Sequence, residues 1–391
     1  MRIGYDVSQT AEDMAGCGFF SKQIISHIVE MDRENEYLLY PAFYGYRHPN
    51  YKNAYTSNAA NVKSLFLDTS WTGINKVWME QADKAELLGH PDIIHSNNFS
   101  FPTDCNAKVV MTIYDMGYLD CPEFTTEANR LVCYHGAFEA SLYADHIVTI
   151  SEFSKQSFLK YFPYYPEDRI SVVYLGNRST LSKVVDYGTI QKVYDKFGIP
   201  HSTFWLGVGT IEPRKNYTLL LEAYSEIVKE DPDSLPLYIA GGKGWLEEGI
   251  QERVRSLGIE NKIRFLGYVS DEELSVLYST CHAFIYPSLY EGFGLPVLEA
   301  MSCGATVITS NVSSLPEVAG DACLMINPND VNTLIDAMKI LNSNETVRND
   351  LLVKSEAQIK KFSWSYAARD VLNIYDKVMS SEPWRWKSVA K

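Results

Sequence analysis

SLYEGFGLPVLEAMSCGATVIT, residues 288–309, reads as the end of a strand, a glycine turn, a short helix and the next strand. The preceding AFIYPS (283–288) is apolar and runs into a turn; Gly292 and Gly294 free the backbone, and Pro296 opens a helix that Gly304 closes. At about 100° per residue, Val297, Ala300 and Met301 share one face and Glu299 lies on the far side. The spacing therefore predicts that Glu291 and Glu299 are not both core residues. One is offered by the turn and one by the helix, at the carboxyl end of a strand, where open α/β sheets bind ligands. The helix start adds N–H groups and a positive dipole end suited to a phosphate. An acid near a helix start is favourable in itself, by about 0.3–1 kcal/mol, and Glu291 alone fits an ordinary turn. The pair with its glycines is what suits a clamp on a nucleotide sugar.

Outward from this window the second half alternates strand and helix. Strands are expected at FWLGVG (204–209), LPLYIAG (235–241), KIRFLG (262–267), AFIYPS and ATVITS (305–310), with amphipathic stretches between them. The first half is similar but less regular, with RIGYDV (2–7), NVKSLFL (61–67), PDIIH (91–95), AKVVMTIYD (107–115), DHIVTI (145–150) and RISVVY (169–174). Such alternation predicts an α/β fold with parallel sheets covered by helices on both faces. The pattern lapses between about 178 and 202, ending at Gly198-Ile199-Pro200, and after 330 the sequence turns mainly helical. Domains are expected at 1–180 and 200–365, in keeping with a length of 391 residues.

Composition narrows the function. A net charge of −14 argues against nucleic acid as a partner, since phosphate neutralisation needs clustered Lys and Arg. No apolar run reaches about 18 residues and Met1-Arg2-Ile3-Gly4 starts a strand, which predicts a cytoplasmic protein without a signal peptide. Seven scattered cysteines, with no CxxC pair, support neither a disulfide framework nor a zinc site.

Several further motifs lie at predicted strand exits. GVGTIEPRKN (207–216) presents Arg214 and Lys215 after Gly209 and just before a helix, where two cations suit a diphosphate better than a core; an isolated Arg-Lys pair at a loop tip is also commonly just solvated. Gly16-Cys17-Gly18, between the first strand and an amphipathic helix, serves either turn geometry or close ligand approach. GGKG (241–244) with Trp245 follows another strand, but neither loop is a Walker A motif or a full GxGxxG, which weakens a dehydrogenase reading. FLGYVSDEEL (265–274) carries a capping box, Ser270 with Glu273. Tyr114-Asp115 and HSNNFSFP (95–102) end two first-half strands; Ser151 and Glu317 read as helix caps. Asp231-Pro232-Asp233 is a literal DxD, yet its setting is that of a polar turn, so no metal is assigned. The tail PWRWK (383–387) interleaves Trp with cations, suiting peripheral contact with a membrane face but too short for stable anchoring.

The E-x7-E pair within an EGFGLPxLEAMxxGxPVI-like segment resembles the retaining glycosyltransferases of family 4. Ala305-Thr306 stands where relatives usually have Thr or Pro before the Val, and Tyr114-Asp115 where they often have His-Asp, which removes a histidine role there. The resemblance implies a GT-B fold: two Rossmann-like, doubly wound domains facing a cleft, with a C-terminal helix (about 366–391) crossing back to the first. It implies Arg214 and Lys215 on the donor diphosphate and Glu299 on the ribose. Glu291 with the backbone of Phe293, Gly294 and Leu295 would orient the hexose, Tyr268 and Val269 would lie beside the base, and Gly16 and Gly18 would form the first-domain loop. Asp115 would sit near the transferred sugar and its acceptor. The expected donor is GDP-mannose, with UDP-glucose or another UDP-hexose as the alternative, and the expected acceptor a saccharide or lipid-linked saccharide in surface-polysaccharide synthesis. No cofactor or metal is expected. A noncatalytic GT-B binding subunit would keep the fold but lose the clamp, and all four clamp residues are present.

Overall fold

The structure, a computed structural model, describes residues 1–11, 16–43, 50–66, 84–103, 105–200, 203–242 and 247–384. Two compact units divide the chain: Met1–Gly176 with the segment beginning at Ser363, and Asn177–Phe362.

In the first unit β1 (Arg2–Asp6), β2 (Glu36–Tyr40), β3 (Val62–Ser64), β4 (Ile93–Ser96), β5 (Lys108–Ile113), β6 (His146–Thr149) and β7 (Ile170–Val172) form one sheet. Its order is β3-β2-β1-β4-β5-β6-β7, and every pairing is parallel. Strands β4 and β6 are buried at every residue, as strands covered on both faces must be. Val109, Met111, Ile113, Ile147 and Phe158 belong to the core on one side of the sheet.

The helix Trp364–Ser380 completes this unit. Phe19 and Phe20, on the helix Gly16–Met31, meet Trp364 edge-on at 5.7 and 6.2 Å. At the other end Lys108 Nζ donates to Val378 O at 2.7 Å and to Met379 O at 3.2 Å, a cation on the exposed carbonyls of a helix end. Beyond it, the Trp384 indole N–H donates to Ser141 O at 3.1 Å and its ring stands edge-on to Tyr165. Trp384 of the PWRWK tail is thus packed onto its own unit; Arg385–Lys387 lie outside the described residues.

In the second unit β8 (Trp205–Val208), β9 (Leu237–Ala240), β10 (Ile263–Gly267), β11 (Ala283–Tyr286), β12 (Val307–Ser310) and β13 (Leu324–Ile326) are ordered β10-β9-β8-β11-β12-β13, again all parallel. The expected pair of doubly wound parallel sheets is therefore present. Each sheet starts at its centre and reverses direction beside its first strand, at β1/β4 and at β8/β11, the position where such sheets open a crevice at their carboxyl edge. Two strands escape the sequence reading, β2 in EYLLY and β13 in LMI, both short runs close to a helix. The polar lapse after 178 contains the helix Tyr187–Phe197, started by Asp186 accepting from Thr189 N and stopped by Gly198 at φ 58°. Among the described residues no helix is long and apolar enough to cross a membrane.

At the carboxyl edge of the second sheet the loops pack backbone on backbone. Gly209 N donates to Ala240 O at 2.9 Å and Gly241 N to Gly267 O at 2.8 Å. Gly241 has φ 152°, and a Cβ there would lie 2.1 Å from Gly209 O, so only glycine fits. Gly241→Ala should therefore destabilise the protein by at least about 2 kcal/mol, read as a lower urea midpoint at unchanged slope.

Candidate active site

β8 and β11 are neighbours at the switch point of the second sheet, and the loops leaving their carboxyl ends carry the charged residues. After Gly209 the chain makes a single 3-10 turn, Pro213–Lys215, and Asn216 at φ 55° swings it into the helix Tyr217–Glu230. Tyr217 reaches back from that helix and its hydroxyl donates to Gly209 O at 2.9 Å. A backbone bond from Leu289 N to Arg214 O, 2.8 Å, ties the two loops together.

Glu291 is the point where they meet. Its Oε2 accepts from Arg214 Nη1 at 2.6 Å, and its Oε1 from Lys215 Nζ at 2.6 Å and from the Tyr286 hydroxyl at 2.8 Å. Lys215 Nζ also donates to the Tyr286 oxygen and lies 4.8 Å from the centre of that ring. Arg214 donates further to Tyr290 O at 2.9 Å and to Glu212 at 2.7 Å. Two cations and two anions balance in this nest. Burial works against the charge on Glu291, but Lys215 and Arg214 outweigh it and hold the carboxyl down to about 2. For Lys215 burial prevails, helped by Arg214 and opposed by Glu291, and its ammonium is pulled below the ordinary lysine value.

The next loop locks the turn. Ser313 Oγ accepts from Glu291 N at 3.0 Å, and Ser314 Oγ sits 2.8 Å from both Glu291 O and Phe293 O as their donor. The Phe293 ring turns inward, edge-on to Phe362 at 5.7 Å, leaving its backbone at the turn. Gly294, at φ 113°, is the N-cap of the helix Leu295–Ser302 and supplies no capping side chain; a Cβ there would meet Leu315 Cδ2 at 2.8 Å.

Glu299 overturns one expectation. It is 1% exposed and Glu291 is 7% exposed, so both carboxylates are interior. The helix is buried at every position from Val297 to Met301, and the face opposite its apolar side is covered by protein instead of water. Arg178 lies there, with Nε 2.8 Å from Glu299 Oε1. Burial pushes the Glu299 carboxyl up to about 7; Arg178 opposes the rise and Asp271 adds to it. The structure thus brings Glu291, Arg214 and Lys215 into direct contact and gives Glu299 a separate partner.

Tyr268, just beyond Gly267, is 83% exposed and Val269 half-buried, with the Ser270–Glu273 capping box intact behind them. Of GGKG and Trp245, residues 243–246 lie outside the described residues. Asp231 Oδ1 accepts from Asp233 N at 3.1 Å, which makes the DxD a turn closed on itself.

In the first unit Gly16 opens its helix exposed and Gly18 is buried. The Tyr114 hydroxyl donates to Cys17 O at 3.2 Å and its ring stands edge-on to Phe20 at 5.6 Å, so the tyrosine at the His-Asp position anchors the glycine loop. Asp115 Oδ1 accepts from Gly117 N at 2.8 Å. Ser151 caps the helix Glu152–Tyr161.

Tyr286, Ser313, Ser314 and Arg178 escape the sequence reading. The serines follow the next strand at the same sheet edge, and Tyr286 ends β11 one turn before Glu291, so their positions along the chain were available as a signal; Arg178 gives none, because its partner is 121 residues away by number, at Glu299.

Residues 194–360 match the family model described as Glycosyl transferases group 1. The chain is 33% identical over 388 residues to the O-antigen chain mannosyltransferase B of Escherichia coli, a match spanning 96% of this chain and 99% of that one. It is 33% identical over 302 residues to the serotype-specific mannosyltransferase WbdA of Escherichia coli, 75% of this chain and 36% of the longer relative. Among solved structures it resembles sucrose-phosphate synthase from Thermosynechococcus elongatus (TM-score 0.71, 18% identity, 98% and 100% of the two chains). It also resembles Anabaena HepE in complex with UDP and glucose (TM-score 0.73, 17% identity, 96% and 100%). Two Rossmann-like units of this kind define the GT-B class of glycosyltransferases. Within that class the chain belongs to the group 1 glycosyltransferases.

Two outcomes follow from the geometry. Tyr286→Phe removes a hydroxyl bonded to both Lys215 and Glu291 and should lower turnover about tenfold with little change in unfolding midpoint, the scale of one charge-assisted hydrogen bond. For Glu299 the folded carboxyl titrates near 7, above its usual 4.5, so the folded state binds the extra proton and stability falls as pH rises from 4.5 through 7. Glu299→Gln removes that slope: the stability difference between variant and parent should move in the variant's favour by about 3 kcal/mol between pH 4.5 and pH 8, measured by urea unfolding.

Proposed function

We propose that this glycosyltransferase moves mannose from GDP-mannose onto a hydroxyl of a saccharide or lipid-linked saccharide in surface-polysaccharide synthesis, with retention at the anomeric carbon and without a metal ion. The observation that carries the reading is the contact of Arg214, Lys215 and Glu291 at the β8/β11 switch point. The mannosyl assignment draws on the O-antigen chain mannosyltransferase B, which aligns over nearly the whole chain.

Fixed cations are what a departing diphosphate needs. As the bond from the anomeric carbon to the diphosphate oxygen breaks, its electron pair and negative charge pass to the leaving group, and the sugar becomes oxocarbenium-like. Lys215 and Arg214 are already desolvated and held by Glu291, so they stabilise that charge without reorganising at the moment of reaction. Lys215 gives one N–H to Tyr286 and one to Glu291, and the third, without a partner among the described residues, is left for a phosphoryl oxygen. The uncapped start of the helix Leu295–Ser302 offers N–H groups and a dipole end to the same anion. Glu291, with the Phe293–Leu295 backbone, orients the hexose; Glu299 accepts from the ribose hydroxyls; Tyr268 and Val269 flank the base. Gly16 and Gly18 let the nucleotide sugar approach the backbone of their loop, and Asp115 lies near the transferred sugar and its acceptor. The acceptor oxygen bonds the anomeric carbon from the face the diphosphate leaves, and the diphosphate takes the hydroxyl proton.

A panel of nucleotide sugars, with slow hydrolysis as readout, tests the donor: GDP-mannose should be turned over in preference to UDP-glucose, with activity unaffected by EDTA and an α product from the α donor by NMR. Glu291→Ala and Lys215→Ala should each lower turnover at least about a hundredfold, the scale for losing one transition-state contact. Near-normal turnover in both would overturn the assignment.

A further inference from the structure

Glu299 is held from a segment that none of the motifs above includes. The chain enters the second unit at Asn177, and Arg178 reaches the helix Leu295–Ser302 from that first turn. Its Nε stands 2.8 Å from Glu299 Oε1, yet out of line for a hydrogen bond, so the contact is ionic without a directed donor. Its Nη1 donates to Asp271 Oδ1 at 3.0 Å, and Thr180 Oγ donates to Asp271 Oδ2 at 2.6 Å. Arg178 is therefore shared by two carboxylates, one on the buried helix and one at the start of the helix Asp271–Thr280. Glu299 Oε1, on a side chain 2% exposed, accepts no hydrogen bond among the described residues. An interior carboxylate oxygen in that state lacks a donor that a ligand hydroxyl would supply.

We propose that Arg178 is the positioning residue for nucleoside recognition: it favours the ionised form of Glu299 against its burial and keeps the carboxylate aimed, so that the nucleoside's hydroxyls find an acceptor in place. This rests on the reading of Glu299 as the ribose ligand. The other groups facing Glu299 are Asp271 and Tyr278 from the helix Asp271–Thr280 and Cys303 at its own helix's end. Lys183, from the same segment as Arg178, lies over Gly304 with its Nζ 3.6 Å from the ideal Cβ position there. Asp271 opposes ionisation of Glu299, and Arg178 is the cation that opposes Asp271. Hydroxyl donors bind the carboxylate more strongly than the protonated acid, whose carbonyl oxygen is the weaker acceptor, so nucleotide affinity rises with pH as Glu299 loses its proton.

The test is calorimetric binding of GDP-mannose and of UDP-glucose between pH 5.5 and 8.5, a range in which their diphosphate diesters do not titrate. The parent protein should bind its donor more tightly with rising pH, with an inflection near 7. Arg178→Gln should weaken binding about tenfold at pH 7 and move the inflection upward by about one unit, while Arg178→Lys, which keeps the charge, leaves the inflection near the parent's. A flat parent profile, or an Arg178→Gln variant with the parent's affinity and inflection, overturns the inference. Where Arg178→Gln fails to fold, the parent profile and Arg178→Lys decide: a Lys variant whose inflection moves upward as far as expected for Gln also overturns it. Glu299→Gln separates the two levels. If it binds donor as the parent does, the ribose reading falls and the inference with it; if it loses binding while Arg178→Gln does not, the inference alone falls.

Discussion

One carboxylate held between two cations organises the second unit. Taking an ion out of water costs several kcal/mol, and Glu291, Arg214 and Lys215 are all largely removed from it. The arrangement survives because each charge faces its opposite at 2.6 Å, and Tyr286, Tyr290 O and Glu212 meet further lone pairs and N–H groups of the trio. Replacing the trio by apolar residues of like volume would suit folding as well or better. What the trio supplies is a fixed field at the carboxyl edge of the sheet, in the low-dielectric surroundings where charge is worth most.

The rest of the edge serves that field. Ser313 and Ser314 hold the turn that presents Glu291, the Leu289–Arg214 backbone bond sets the two loops in register, and Tyr217 fixes the glycine at the exit of β8. The switch point itself follows from strand order: β8 is laid down first, β9 and β10 on one side, then β11 to β13 on the other. Cations on the first loop and an acid on the fourth become neighbours only through that reversal.

Much of this was legible along the chain, for identifiable reasons. Apolar runs gave the central strands of both sheets, ending in glycine at Gly209, Gly241 and Gly267 in the second, and Pro296 with Gly304 bounded the helix between β11 and β12. Two strands were harder: β2, inside the first sheet, and β13, at the edge of the second, are short runs close to a helix, which blurs their alternation. The angular position of Glu299 on its helix was readable, but its burial was not, since what covers it comes from Arg178 in another part of the sequence. Tyr114 shows the same limit. Its place before Asp115 was visible, whereas its bond to Cys17 O needs β5 and the first helix brought together.

The helix Trp364–Ser380 belongs to the unit that begins the chain, and this has a bearing on biosynthesis. Residues 177–362 are contiguous and leave the ribosome whole, while the amino-terminal unit still lacks the element that covers Phe19 and Phe20. The later-emerging half can thus reach its native packing first, and the earlier half keeps an uncovered aromatic seam until the helix Trp364–Ser380 has emerged, a window in which chaperones, not the finished fold, must shield it.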